Sequence, residues 1–96
     1  MIISQKVRDH RQQMLTILQQ FPIRNPKIFG SVAKGIDTAE SDIDLLVEPL
    51  PQMTMFDLCG LQIELEELLG VKVDVLTPRS LPEKFRQQVL SEAIPL

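Results

Sequence analysis

The chain has 96 residues, 44% of them hydrophobic, and a formal net charge of −3. That length suits one compact domain, expected to span residues 1–96, with a modest core. With no Lys/Arg-dense tail, no apolar run of signal-peptide or membrane-span type, and only one cysteine, Cys59, the sequence argues against extended nucleic-acid binding, a membrane protein and an internal disulfide. A cytoplasmic location is expected. Trp and Tyr are absent and only four Phe are present, which argues against an aromatic platform that stacks several bases.

The first expected element is a helix from Ile3 to Phe21. Ile3, Val7, His10, Met14, Ile17, Leu18 and Phe21 draw one stripe down it, and Ser4 is a candidate N-cap. Pro22 and Pro26 bracket a connection, after which Lys27-Ile28-Phe29 reads as a short strand stopped by Gly30. Ser31 to Lys34 can form a short helical turn, with Gly35 as its stop and a polar loop running to Ser41. From Asp42 to Val47 the period of two sends Ile43, Leu45 and Val47 to one face of a strand and Asp42, Asp44 and Leu46 to the other.

Thr54 followed by Asp57 resembles a capping box, and the apolar residues between Met55 and Leu69 fall on more than one side of a helix, so that helix is expected to be well buried. Gly70 ends it. Val71 to Leu76 alternates again and places Asp74 opposite Val71, Val73 and Val75. A last helix fits Pro82 to Ser91, with Leu81, Phe85, Val89 and Ala93 along its buried side. The expected architecture is α/β (α+β): a small mixed sheet with helices packed on one face.

Two carboxylates at i and i+2 on a strand point the same way, so Asp42 and Asp44 can present oxygens to one or two hard cations. Isolated D-x-D segments commonly lie on solvated strand faces, so their surroundings decide. Upstream, Gly30-Ser31 stands where a short helix begins, and there free amides and a hydroxyl can hold phosphate oxygens. Gly-Ser followed after ten residues by D-x-D arises by chance in a chain this short on the order of once in a thousand sequences.

The segments GSVAKGIDTAESDIDLLVE and VKVDVLT resemble the signature of the nucleotidyltransferase superfamily of DNA polymerase β, G-S-x10-D-x-D followed by a third carboxylate on a later strand. The matching positions are Gly30, Ser31, Asp42, Asp44 and Asp74. Extent and spacing are similar to the minimal nucleotidyltransferases, the MntA-like antitoxins encoded beside HEPN-domain toxins. Lys34 departs from the arginine of a G-S-x-A-R-G segment; it keeps the charge without the bidentate fork.

The resemblance implies that Asp42, Asp44 and Asp74 hold two Mg2+ ions and that Gly30, Ser31 and Lys34 bind the triphosphate of ATP. It further implies transfer of AMP to a tyrosine of a HEPN toxin, with Asp74 acting as metal ligand, as base, or as both. With about twenty residues after Asp74, no acceptor-gripping module is expected, so a separate protein would bring the acceptor. Two other readings stand beside this one: a non-catalytic antitoxin that masks its toxin, and a free-standing nucleotidyltransferase acting on RNA 3′ ends or a small hydroxylated acceptor.

Several residues have plainer readings. His10 is expected to be a core or interface residue with a satisfied ring, and Cys59 a small buried hydrophobe. Met53 and Met55 read as core or interface residues, and Glu66-Glu67 as a solvated helix face. Lys84 and Arg86 read either as surface charges or as contacts to a partner or phosphate.

Overall fold

The computed structural model describes residues 3–30 and 42–96. In chain order it contains α1 (Ile3–Asp9), α2 (Arg11–Leu18), β1 (Ile23–Phe29), β2 (Ile43–Pro49), α3 (Met55–Leu69), β3 (Val73–Leu76), a 3-10 turn (Pro78–Ser80), α4 (Glu83–Glu92) and β4 (Ile94–Pro95). The sheet has strand order β3-β2-β1-β4. β2 runs antiparallel to β1 and parallel to β3, and β4 pairs antiparallel with β1. The turn expected at Ser31–Lys34 and the loop after it lie outside the described residues.

Alternation along the strands decides which face of the sheet is covered. Ile28, Ile43, Leu45, Val47, Val73 and Val75 turn inward to meet Val7 of α1, Met14 and Leu18 of α2, and Leu61, Leu65 and Leu69 of α3. The three α3 leucines recur every four residues and are almost completely buried, each worth roughly 1.5–3 kcal/mol of transfer free energy. On the opposite face Leu46 and Leu81 are buried outside this cluster, where the 3-10 turn packs on β2.

The long helix α3 is fixed at both ends by local chemistry. The Thr54 hydroxyl accepts the Asp57 amide at 3.2 Å, and the Asp57 carboxylate accepts the Thr54 amide at 3.0 Å, completing the capping box. At the other end Gly70 takes φ +69, and its amide donates to the Glu66 carbonyl, a left-handed stop that suits glycine.

Several elements differ from the sequence reading. The first helix is broken at His10, which adopts φ −110, ψ 12 between α1 and α2. The His10 ring sits with Nδ1 2.9 Å from the Lys6 carbonyl, so the ring is satisfied as expected while its backbone interrupts the stripe. Ser4 lies within α1 rather than ahead of it.

β1 starts at Ile23, well before Lys27, because a bulge between Arg24 and Lys27 accommodates Pro26, which has no amide to donate. Asn25 supports the bulge at φ +51, a region this residue type tolerates, and its side chain donates to Glu48. Helix α3 buries one face only: Met55 is 73% exposed, Phe56 88% and Ile63 54%. Met55 is thus not a core residue, and Cys59 is exposed rather than buried. On α4, Phe85 is exposed with the Lys84 ammonium over its ring. Arg86 bonds the Pro78 and Leu81 carbonyls instead of standing free.

Candidate active site

The parallel pairing of β2 and β3 sets Asp44 directly beside Asp74, with Ile43 beside Val73 and Leu45 beside Val75. Neighbouring strands lie about 4.8 Å apart, and residues in register share a face, so the two carboxylates project side by side from the face opposite the core. Asp42 stands immediately before β2 and is exposed. With Asp44 it brackets Ile43, which is fully buried; the buried isoleucine anchors the register that aims Asp44 away from the core.

Asp44 has its pKa raised. Burial is the largest cause, followed by the charges of Asp74 and then Asp42, while Lys72 pulls in the opposite direction. Carboxylates crowded in a partly desolvated place oppose one another's ionisation. Lys72, two residues before Asp74, therefore belongs to this electrostatic cluster although the sequence reading did not single it out. Its placement with Asp74 follows from the same period of two.

Gly30 follows β1, whose Phe29 is the register partner of Asp44. It takes φ +77, and a Cβ built there would stand 2.6 Å from Asp44 Oδ2. Glycine is thus required twice, for its left-handed backbone and for the carboxylate oxygen against it. The fold brings Gly30, Asp44 and Asp74 together on three adjacent chain segments. Ser31 and Lys34 fall within residues 31–41, outside the described part of the chain.

Among the described residues no three His, Cys, Asp or Glu side chains form a ready-made metal cage. The donor set nevertheless suits a hard divalent cation: it consists of carboxylates alone, and a nearby positive charge would offset both the burial and the Asp74 and Asp42 charges that raise the Asp44 pKa. His10, at the break between α1 and α2, and Cys59, on α3, lie away from this face and add nothing to it.

A separate open cavity of about 670 Å³ lies between the far ends of β2 and β3, lined by Arg24, Pro49 to Pro51, Met53 to Met55, Leu58 and Thr77 to Arg79. Pro49 is five residues along β2 from Asp44, about 16 Å at strand rise, so this cavity is distinct from the carboxylate site. Among the described residues no helix is long and apolar enough to cross a membrane.

Acidic residues on adjacent strands, a glycine held against one carboxylate and a mixed sheet covered by helices agree with the resemblance seen in the sequence. Residues 12–96 match the family model for Polymerase beta, Nucleotidyltransferase, and the chain belongs to that family. It is similar to a provisionally named protein adenylyltransferase of Methanocaldococcus jannaschii, 36% identical over 88 residues that cover 92% of this chain and 95% of the relative. A solved structure of a provisionally named minimal nucleotidyltransferase superposes with a TM-score of 0.87 at 40% identity, covering 97% of this chain and 95% of that one. A chain from a toxin–antitoxin crystal structure containing MntA gives a TM-score of 0.73 at 25% identity, covering 90% of this chain and 70% of the other.

Proposed function

We propose that this nucleotidyltransferase is a magnesium-dependent protein adenylyltransferase that moves AMP from ATP onto a tyrosine hydroxyl of a cognate HEPN toxin and thereby acts as its antitoxin. The observation that carries the chemistry is the pairing of Asp44 with Asp74 on adjacent strands, with Gly30 against Asp44. The protein acceptor is supported by likeness to a protein adenylyltransferase and to a toxin–antitoxin chain.

In this reading Asp42, Asp44 and Asp74 would hold Mg2+, which would supply charge neutralisation for the triphosphate and a lowered pKa for the attacking hydroxyl. The Gly30 backbone, with Ser31 and Lys34, holds the β- and γ-phosphates so that pyrophosphate leaves in line with attack. The acceptor oxygen forms a bond to the α-phosphorus as the bond from that phosphorus to the α,β-bridging oxygen breaks. The hydroxyl proton passes to the Asp74 carboxylate or to solvent, and the electron pair leaves with pyrophosphate. No covalent enzyme intermediate is required.

The test is to incubate the chain with a candidate HEPN toxin, ATP and magnesium, and to map modified residues by mass spectrometry. One AMP on a partner tyrosine is the expected result. An unmodified partner that is still neutralised favours masking, and extension of RNA without any partner favours a free-standing enzyme; either result overturns the proposal.

A further inference from the structure

β3 is four residues long and forms one edge of the sheet, with no further strand to hold its outer side although it carries a site carboxylate. The Lys72 carbonyl accepts the Ile43 amide, which fixes the phase of the ladder. Residues 72, 74 and 76 turn their backbone groups toward β2, while the Val73 and Val75 amides point away from the sheet.

Those outward amides are met by α3. Glu66 Oε2 accepts the Val73 amide at 3.1 Å, and Gln62 Oε1 accepts the Val75 amide at 3.4 Å. The spacings match: four residues of helix rise about 6 Å and two residues of strand about 6.7 Å. Two side chains one helical turn apart therefore do the work of a missing strand. Glu66 is also held through its own carbonyl, which accepts the Gly70 amide at 2.8 Å. It thus ties the end of α3 to the start of β3 across the Gly70 turn.

We infer that Glu66 is a positioning residue for Asp74: by holding the preceding amide, its carboxylate pins the edge strand β3 in the register that sets Asp74 beside Asp44. This rests on the reading of Asp74 as a site carboxylate given above. A carboxylate accepting a backbone amide makes a strong, directional bond, and glutamine in its place retains an acceptor oxygen of the same reach.

The test compares wild type, Glu66→Gln, Glu66→Ala and Val7→Ala, the last a buried core change on α1 that supplies a comparable loss of Tm. Amide hydrogen exchange at Val73 and Asp74 is followed by NMR, and AMP transfer gives kcat and KM for ATP. Glu66→Ala is expected to speed exchange at both amides about tenfold or more and to lower kcat on the order of tenfold, part of the roughly hundredfold that follows a 1 Å misplacement. KM for ATP should stay within about threefold, because the Gly30 side of the site holds the triphosphate. Glu66→Gln should restore both readouts, and Val7→Ala should lower Tm while leaving kcat in place. Unchanged exchange in Glu66→Ala, or an equal fall in kcat in Val7→Ala, overturns the inference. A wild-type chain that transfers no nucleotide overturns the functional reading instead, and the exchange data still decide whether Glu66 pins the strand.

Discussion

Replacing Gly30 with alanine tests the site at its tightest point. The backbone there is left-handed, at φ +77, and a residue with a Cβ gives up about 1–2 kcal/mol in that conformation. For a domain of this size each kcal/mol corresponds to about 4–8 °C in Tm, so a fall of roughly 4–16 °C is expected. The new Cβ would also stand 2.6 Å from Asp44 Oδ2, whereas ordinary contact begins at 3.4 Å. The difference, 3.4 − 2.6 = 0.8 Å, must be absorbed by the Asp44 carboxylate or by the chain around Gly30. A displacement near 1 Å at a reacting centre costs on the order of a hundredfold in rate. Differential scanning fluorimetry reads the first effect and AMP transfer to the partner the second. Combining the change with Asp44→Ala should leave only the backbone share of the Tm loss, since the obstructing oxygen is gone. Gly30→Ala with wild-type Tm and turnover within about threefold of wild type would refute the close approach.

Asp44→Asn should raise Tm at neutral pH in the absence of divalent metal while abolishing transfer. Because the Asp44 pKa is raised in the folded chain, the folded state holds this proton more tightly than the unfolded one. The group's contribution is full below its unfolded pKa and is lost as pH rises through the folded value. Wild type should therefore lose stability relative to the variant across that interval, and parallel Tm–pH curves would contradict the assignment. Leu65→Ala, at a fully buried position, should cost about 2–5 kcal/mol by denaturant unfolding. Thr54→Ala removes the helix cap and should cost about 1 kcal/mol with turnover unchanged.

Asp44 and Asp74 were assignable to core-opposed strand faces because a period of two needs only neighbouring residues, whereas Asp42, expected to open the strand, stands just before β2. Their partnership was not legible in the same way: setting Asp44 beside Asp74 depends on a parallel register between segments separated by all of α3. Gly30 was visible as a turn glycine, but its approach to Asp44 Oδ2 is a tertiary fact. The capping box at Thr54 and the Gly70 stop were readable because both are local. Glu66 was read as solvated because its amide partner lies across that stop. The exposure of Phe56, Cys59 and Ile63 was missed for a related reason, since apolar content shows that a helix has something to bury but not which faces find a neighbour. β4, two residues long with a proline, carries no periodicity at all and exists because β1 offers it an edge.

The most direct measurement is single-turnover AMP transfer to the proposed HEPN partner by Asp44→Asn and Asp74→Asn, each shown to be folded by its Tm and each followed with and without magnesium. If the paired carboxylates run the chemistry, each variant should lose several kcal/mol of transition-state stabilisation, on the order of a thousandfold or more in rate, and magnesium should no longer accelerate what remains. Magnesium-dependent transfer persisting in either variant within about tenfold of wild type, little more than 1 kcal/mol, would contradict the assignment of the Asp44–Asp74 pair as the catalytic centre.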